Sequence, residues 1–422
     1  MGLVYLAVSI NGAAYTVSAF RPLRRGRLLH GWSFFASWIT IEAAPLHLVW
    51  QILATAWFAR RGALRTPAGK LGLAVTVASW IGLAATIRTS WAARHEIREA
   101  LRDLDHEPSA GERQAVKVRR NVTSARAGGK ALRLDVHEPA TPPAEGERRP
   151  VLVQVHGGGW VLGFKDRQGQ LLMKHLAQRG WVCCNVDYRL SPLATFPDHL
   201  VDVKRAIAWI REHADELGID PSFVAVTGGS AGGHLTALTA LTANRPEYQP
   251  GFEDADTSVA AAVPFYGVYD FTNRNGAWPE DTVPTFIAPV VMKRDLDEDP
   301  EGYAAASPLD QVHADAPPFF VIHGDIDLLA PVEDARDFVE RLRATSASPV
   351  YYLELHGAQH AFESFASLRA NAVVRAAARF LDAVHTAHVE AGAGEEPTAA
   401  EVDAAVQDEL GELGDEASEP VR

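Results

Sequence analysis

A serine between glycines gives the chain a candidate nucleophile. Ser230 lies in the stretch GGSAG, directly after the apolar run FVAVT and before a segment with helical character. A G-x-S-x-G pattern between a strand and a helix is typical of a sharp turn that exposes the serine hydroxyl. The helix behind the turn would direct the positive end of its dipole toward the same place. The pattern predicts Ser230 as a nucleophile; a glycine-rich turn with a helix-capping serine is the alternative.

A serine hydroxyl needs a base, the base needs an orienting acid, and both residue types follow later in the chain. The stretch LHGAQHAF contains His356 and His360. We choose His360 as the base because it lies beyond the predicted strand, and we expect His356 to make a structural hydrogen bond. The stretch VIHGDIDLLAPV offers Asp327, the preferred acid, and Asp325, the alternative. The acid would hold the imidazole in the correct tautomer and stabilise its charged form.

Three consecutive glycines follow the apolar run VLVQV, in the stretch HGGGW. Glycine loses more backbone entropy on folding than any other residue, so such a run needs a reason. During acyl transfer the substrate carbonyl oxygen becomes an anion that backbone N–H groups stabilise, and side chains there would crowd the substrate. We therefore expect the N–H groups of Gly157, Gly158 and Ala231 to form an oxyanion hole, with His156 bracing the loop. On this interpretation Gly158→Ala would lower kcat with little loss of stability.

The elements that must position these residues are strands alternating with helices. The stretches AVKVRRNVT and ALRLDVHEP alternate in polarity and predict antiparallel strands. From VLVQV onward, continuous apolar runs alternate with helical segments up to a last helix near Phe365–His385. This order predicts an α/β fold in which helices cover both faces of a mostly parallel sheet. A Pro-, Asp- and Trp-rich segment at about 268–317 is too long for a simple connection and predicts an insertion or lid.

These motifs resemble the α/β-hydrolase esterases, and within them the hormone-sensitive-lipase-like and carboxylesterase branch. The resemblance rests on HGGGW, DYRLSP, GIDPSFVAVTGGSAGG, HGDID and HGAQHAF, which run in family order over roughly half of the chain. It implies an eight-stranded α/β-hydrolase fold, a triad of Ser230, Asp327 and His360, and an oxyanion hole at the glycines. Two features depart from the family pattern. Gly229 stands where an Asp often precedes the nucleophile, and HGDIDLLAPV is more similar to feruloyl-esterase-like and peptidase-like relatives.

The first hundred residues are far more apolar than the rest. Met1–Phe20 carries no charge, Gly31–Ala59 carries only Glu42 as a formal charge, and Leu71–Ile87 is charge-free. Because about 20 apolar residues cross a bilayer as a helix, these segments predict hydrophobic N-terminal helices that anchor the protein in a membrane. Met1–Phe20 is borderline because polar residues dilute it. Four basic residues on each side of the second segment favour neither orientation.

Aromatic and ionisable residues mark these apolar segments. Three tryptophans lie near segment ends, where interfacial anchors belong: Trp32, Trp57 and Trp91. Glu42 and His47 lie inside the second segment, and ionisable groups within a span are functional candidates by default. A segment that lies partly in the interface, or against the catalytic domain, is the alternative for these two residues. Buried helices of a soluble protein are the alternative for the whole region.

Charge and cysteine content exclude some partners. The formal net charge is −13, and the stretch from Glu390 to Arg422 holds eleven acidic residues and one basic residue. We therefore expect no nucleic-acid partner. Cys183 and Cys184 are adjacent, so they do not have the spacing of zinc ligands and are expected to be buried strand residues. No cofactor or metal is predicted.

The sequence predicts three parts: a hydrophobic membrane-anchor region (1–105), a catalytic domain (106–386) and an acidic, disordered tail (387–422).

The sequence predicts a membrane-attached serine carboxylesterase or lipase that hydrolyses a small-molecule or lipid ester through an acyl-enzyme. A serine peptidase or amidase on the same fold is one alternative, and a catalytically inactive binding protein is another. Every predicted strand, the triad and the glycine loop follow residue 94. Removal of residues 1–94 is therefore expected to leave a soluble, active esterase.

Overall fold

A computed structural model describes residues 1–23, 27–104, 113–144, 146–279 and 281–391. The predicted acidic, disordered tail (387–422) lies outside the described residues from position 392 onward, but its first residues do not fit the prediction, because the last helix continues to Glu390. Residues 105–112, which precede the first strand, also lie outside the described residues.

The chain divides into two compact units, and the predicted acid and the predicted base belong to the same one. The first unit contains Met1–Ile97 together with two later segments, Gly324–Leu329 and Glu354–Val373. These two segments carry Asp327 and His360. The second unit contains the remaining chain, including Ser230, the predicted nucleophile, and the glycine loop. The N-terminal helices are thus grouped with part of the region that the sequence assigns to catalysis.

Four helices build the N-terminal part of the first unit: α1 (Gly2–Phe20), α2 (Arg27–Glu42), α3 (Ala44–Arg60) and α4 (Pro67–Ala100). In the described residues, α1 and α4 are long and apolar enough to cross a membrane, and α2 from His30 onward forms with α3 a pair bent by 91°. The segment Gly31–Ala59 is therefore not the single straight span that its length suggested. Pro45 lies in the first turn of α3, where a missing N–H favours the start of a new helix over continuation of the old one.

The four N-terminal helices bury polar side chains and expose apolar ones. The Tyr5 hydroxyl lies 3.0 Å from Thr55 Oγ1 and 3.2 Å from Thr76 Oγ1, so it joins α1 to α3 and α4. Thr16 and Ser79 are joined by a hydrogen bond of 2.7 Å. Many large apolar side chains on the same helices are exposed, among them Leu3, Leu46, Leu53 and Ile81. This arrangement inverts the usual pattern of a water-soluble bundle.

Eight strands form one sheet: β1 (Val116–Ala127), β2 (Lys130–Pro139), β3 (Arg149–Val155), β4 (Val182–Val186), β5 (Ile219–Gly229), β6 (Ala261–Phe265), β7 (Phe319–Gly324) and β8 (Val350–Leu355). Their order is β1-β2-β4-β3-β5-β6-β7-β8. Strands β1 and β2 pair antiparallel, as do β2 and β4. The pairs β3–β4, β3–β5, β5–β6 and β6–β7 are parallel. The predicted fold, an eight-stranded and mostly parallel α/β-hydrolase sheet preceded by N-terminal helices, is confirmed.

Helices connect the strands of this sheet: α5 (Gln170–Ala177), α6 (Asp198–Glu212), α7 (Ala214–Leu217), α8 (Ala231–Leu241), α9 (Pro300–Ala306), α10 (Val332–Thr345) and α11 (Leu368–Glu390). Helix α6 buries Leu200, Val203, Ile207 and Ile210, a three- and four-residue spacing that forms one apolar stripe. Every residue of β3 and β4 is buried, which accounts for their mostly apolar sequences. Cys183 and Cys184 are buried, free thiols in β4, as expected.

Candidate functional site

Ser230 occupies a strained turn between β5 and α8. Its backbone has φ 60° and ψ −125°, a conformation that residues with a side chain rarely adopt. The turn is held by a hydrogen bond from the Ser230 N–H to the Phe265 carbonyl, 3.0 Å away. Among the described residues, the Ser230 side chain makes no capping hydrogen bond to α8. The geometry is that of a serine hydroxyl held out from the turn and does not favour the helix-capping alternative.

The glycines around Ser230 are required by close backbone contacts. A Cβ atom on Gly228 would lie 2.5 Å from the Val155 carbonyl oxygen, and one on Gly232 would lie 2.2 Å from the same atom. A Cβ atom on Gly229 would lie 2.5 Å from the hydroxyl of Tyr266. This contact gives a physical reason for the departure from the family pattern, because the Tyr266 side chain occupies the space that an Asp at position 229 would need.

The predicted oxyanion donors lie in the second unit, and one of them already has a partner. The Gly157 N–H donates to the side-chain oxygen of Gln168 at 2.6 Å. A Cβ on Gly157 would lie 2.9 Å from the Ser230 Cβ, so the glycine loop passes close to the predicted nucleophile. The N–H groups of Gly158 and Ala231 have no acceptor among the residues that the structure describes. These two groups are available to a substrate oxygen.

Gly158 is also a structural glycine. Its φ is 125°, a value that favours glycine strongly. A Cβ on Gly158 would lie 2.0 Å from the Leu162 carbonyl oxygen. The geometry argues against the expectation that alanine would be tolerated at this position without loss of stability.

His156 supports the glycine loop through a hydrogen bond and a ring contact. Its Nδ1 donates to the Gly157 carbonyl at 2.9 Å, and its ring stacks on Tyr188 with centroids 4.4 Å apart. The Tyr188 hydroxyl donates to the His156 carbonyl at 2.9 Å. Burial lowers the pKa of His156 to about 4, so the imidazole is neutral near pH 7. It acts in this loop as a packed hydrogen-bond donor.

A second buried histidine behind the loop was missed by the sequence reasoning. His234 Nδ1 accepts a hydrogen bond from the Trp160 indole at 3.3 Å, and its Nε2 donates to the Ala306 carbonyl at 2.7 Å. Its ring stacks on Phe271 at 4.6 Å. Burial lowers its pKa to about 3, which keeps it neutral. The available signal was its place one helical turn after Ser230, at the end of GGSAGGH.

The predicted insertion places an aromatic ring against the glycine loop. The segment Val283–Met292 forms a π-helix. The Phe286 ring of this segment lies 3.3 Å from the position that a Cβ on Gly159 would occupy. The Val291 carbonyl accepts a hydrogen bond of 3.0 Å from the Phe196 N–H, which ties the segment to the loop before α6.

The first unit holds the predicted acid and base as a pair. His360 Nδ1 donates to Asp327 Oδ2 at 2.6 Å, and both side chains are buried. Asp327 Oδ1 accepts the Leu329 N–H at 2.7 Å, which fixes the carboxylate. Because Nδ1 carries the proton in this hydrogen bond, Nε2 is left as the basic nitrogen. The arrangement matches what a general base with an orienting acid requires.

Asp325 and His356 form a second pair in the same unit. Asp325 Oδ2 accepts from His356 Nδ1 at 2.7 Å, and its Oδ1 accepts the Gly357 N–H at 2.7 Å. The His356 side chain is 74% exposed, whereas that of His360 is 5% exposed. His356 makes the structural hydrogen bond that the sequence suggested, and its acceptor is the carboxylate named as the alternative acid.

The chain is similar in sequence to known ester hydrolases. The family model BD-FAE matches residues 134–342. The probable carboxylic ester hydrolase LipM of Mycobacterium tuberculosis is 40% identical over 417 residues, which cover 93% of this chain and 95% of LipM. Esterase LipQ of the same organism is 43% identical over 289 residues, covering 68% of this chain and 67% of LipQ.

Solved esterase structures share the fold. The thermophilic esterase Est2 of the Planctomycetes species Thermogutta terrifontis, solved with propionate bound, superposes with a TM-score of 0.52 at 27% identity, covering 68% of this chain and 96% of that structure. A truncated carbohydrate esterase from gut microbiota superposes with a TM-score of 0.56 at 21% identity, covering 66% of this chain and 99% of that structure, and supports the fold alone. With LipM matched over nearly its whole length, the chain belongs to the hormone-sensitive-lipase-like carboxylic ester hydrolases of the α/β-hydrolase fold.

Proposed function

We propose that this ester hydrolase is a membrane-attached serine carboxylesterase, with Ser230 as nucleophile, His360 as general base and Asp327 as orienting acid. The buried hydrogen bond of 2.6 Å between His360 and Asp327 carries the proposal. It supplies an imidazole whose tautomer is fixed for proton abstraction. The strained backbone of Ser230 supports the nucleophile assignment.

The reaction proceeds in two halves. Ser230 Oγ attacks the ester carbonyl while His360 Nε2 takes the hydroxyl proton, and the carbonyl oxygen becomes an oxyanion. The C–O bond to the alcohol then breaks, His360 returns the proton to the departing alkoxide, and the acyl group remains on Ser230. In the second half a water molecule gives its proton to His360 and attacks the acyl-enzyme. Collapse of this intermediate breaks the bond between the acyl carbon and Ser230 Oγ, His360 returns the proton to that oxygen, and the acid is released.

The N–H groups of Gly158 and Ala231 form the core of the oxyanion hole. Both lack another acceptor among the described residues, and donors prepared in this way stabilise charge that develops during the reaction. Gly157 becomes a third donor when the substrate oxygen replaces the amide oxygen of Gln168, which accepts its N–H in the structure.

The acyl group is short or of medium length. Phe286 lies against Gly159 in the glycine loop and so narrows the space next to the oxyanion donors. The esterase Est2 of Thermogutta terrifontis, a structural relative, has been solved with propionate and with butyrate bound. Small-molecule esters and lipid esters with such acyl groups are both candidate substrates.

Membrane attachment is proposed from the inverted pattern of the N-terminal helices. Their buried hydrogen bonds join polar side chains such as Tyr5, Thr16 and Ser79, which is how helices associate in lipid. Their exposed surface carries large apolar side chains, with Leu3 75% exposed and Ile81 69% exposed. An apolar surface of this kind marks a membrane or partner contact.

The catalytic proposal is tested with a fluorophosphonate probe and two matched substrates. The full chain should react with one equivalent of probe at Ser230 and hydrolyse p-nitrophenyl butyrate, and Ser230→Ala should lose both properties. Butyryl anilide should be hydrolysed far more slowly than the ester. Probe labelling at another residue, or unchanged turnover in Ser230→Ala, would remove Ser230 as the nucleophile. Faster anilide hydrolysis would favour the amidase alternative.

A further inference from the structure

The segment between β8 and α11, residues 356–367, carries His360, and we call it the histidine loop. A buried glutamine next to the base holds this loop. Gln359 Oε1 accepts the backbone N–H of His360 at 3.0 Å and that of Leu328 at 2.8 Å. Its Nε2 donates to Ser37 Oγ in α2 at 3.0 Å. One amide side chain thus joins the histidine loop, the backbone next to Asp327 and α2.

A second contact lies on the other side of His360. The indole Nε1 of Trp38, also in α2, donates to the Ala361 carbonyl at 3.0 Å. Ala361 has φ 58°, a backbone conformation that needs support from its surroundings when a side chain is present. The Trp38 ring packs on Phe365 with centroids 4.8 Å apart. The residues immediately before and after His360 therefore both contact the same helix.

The C-terminal end of α2 makes a third contact, through a buried carboxylate. Glu42 Oε2 accepts from Ser367 Oγ at 2.6 Å, and Oε1 accepts from Arg369 Nη1 at 3.4 Å. Neither the Glu42 nor the Arg369 side chain is accessible to solvent. Arg369 Nη1 also donates to the Gly357 carbonyl in the histidine loop at 2.8 Å. Because an isolated buried charge is strongly unfavourable, Glu42 fixes the place of Arg369 and, through it, the start of the loop.

We propose that Ser37, Trp38 and Glu42, in the second half of α2, are positioning residues that hold the histidine loop in its catalytic geometry. The inference rests on the proposed role of His360. It gives a function to Glu42, whose presence as a charged residue within an apolar segment is otherwise unexplained. It also argues against the expectation that residues 1–94 can be removed without loss of activity, since α2 lies within them.

Trp38→Phe and Glu42→Gln test the proposal in the full, detergent-solubilised chain. The first variant keeps a ring against Phe365 but removes the hydrogen bond to Ala361, and the second keeps an acceptor for Ser367 but removes the charge opposite Arg369. The matched control is Trp32→Phe, which changes an exposed tryptophan earlier in the same helix. Concentrations of active enzyme are set by burst titration, and kcat and KM are measured with p-nitrophenyl butyrate.

A displaced imidazole slows chemistry more than it weakens substrate binding. We therefore expect kcat and the rate constant of fluorophosphonate inactivation to fall by about tenfold or more in both variants. KM should stay within about twofold of wild type, and the control should behave like wild type. If either folded variant matches the control in kcat and inactivation rate, its contact does not position the base. If both match, the inference is overturned.

The design separates this inference from the catalytic proposal. Ser230→Ala and His360→Ala are measured in parallel. Activity that survives in both would overturn the proposed function, whereas activity lost in both and retained in Trp38→Phe and Glu42→Gln would overturn only the role of α2. Thermal unfolding is recorded for every variant. Should Trp38→Phe not fold, Glu42→Gln decides the outcome by the same comparison with Trp32→Phe.

Discussion

His360 Nδ1 donates to Asp327 Oδ2 across 2.6 Å, and a second pair, His356 and Asp325, repeats the contact at 2.7 Å. The two pairs have nearly the same separation along the chain, and burial distinguishes them. Water competes for the hydrogen bond of an exposed imidazole, whereas a buried imidazole keeps its partner and its orientation. Since a catalytic base must hold one orientation through the reaction, the buried pair is the better candidate.

The first prediction concerns the acid. Asp327→Asn should lower kcat by about 10⁴-fold, because the amide can no longer stabilise the imidazolium and favours the wrong tautomer. Asp325→Asn is the matched control and should change kcat by less than about threefold, since its partner His356 is exposed. Steady-state kinetics at a pH above 7 measure both. A larger loss in Asp325→Asn would transfer the role of acid to Asp325.

The second prediction concerns the glycine loop. Gly158→Ala should lower both activity and stability, because φ 125° is unfavourable for alanine and the new Cβ would lie 2.0 Å from the Leu162 carbonyl oxygen. Strain of this kind costs about 1–3 kcal/mol before the contact is counted. Gly129→Ala is the control: Gly129 also has a positive φ, 74°, but no atom lies within 4 Å of its Cβ position. Equal melting temperatures for the two variants would contradict the steric argument.

Local features of the site could be predicted from the sequence, because neighbouring residues encode them. The turn at Ser230 needs a strand before it, small residues around it and a helix after it, and all three lie within one short stretch. The pairing of Asp327 with His360 followed from their positions after consecutive strands. The structure adds a physical reason for choosing His360 over His356, because the His360 side chain is buried and the His356 side chain is exposed.

Contacts that join distant parts of the chain could not be predicted in the same way. The hydrogen bond between Trp38 and Ala361 joins residues 323 positions apart, and no spacing in the sequence indicates it. The engagement of the Gly157 N–H by Gln168 depends on the path of the intervening loop. The bend between α2 and α3 has a local signal, Pro45 in the first turn of α3, whereas the apolar length of the segment predicts a single span.

The third prediction uses a buried carboxyl in the second unit. Burial raises the pKa of Asp334 from its ordinary value of 3.8 to about 7, although Trp278 Nε1 donates to it at 2.7 Å. The folded state therefore binds this proton more tightly than the unfolded state does. Its contribution to stability is complete below about pH 4 and is lost as the pH rises through about 7.

Asp334→Asn removes this titration and keeps an oxygen that accepts from Trp278. The melting temperature of the variant relative to wild type should therefore rise by a few degrees between pH 5 and pH 8, since about 1 kcal/mol corresponds to about 2–4 °C in a domain of this size. A difference between variant and wild type that does not depend on pH would contradict the assignment.

The fourth prediction concerns the membrane. The full chain should sediment with membranes and stay there after a carbonate wash, because α1 and α4 are long and apolar enough to span a bilayer and expose their apolar side chains.

Ile81→Arg, at a residue of α4 that is 69% exposed, should reduce the amount of protein in the membrane fraction, since arginine at the centre of a span costs about 2.5–3.5 kcal/mol on insertion scales. Leu193→Arg is the control, because Leu193 is 82% exposed in the second unit and lies outside the N-terminal helices. If Ile81→Arg has no more effect than Leu193→Arg, and the full chain is soluble without detergent, the N-terminal helices are not lipid-facing.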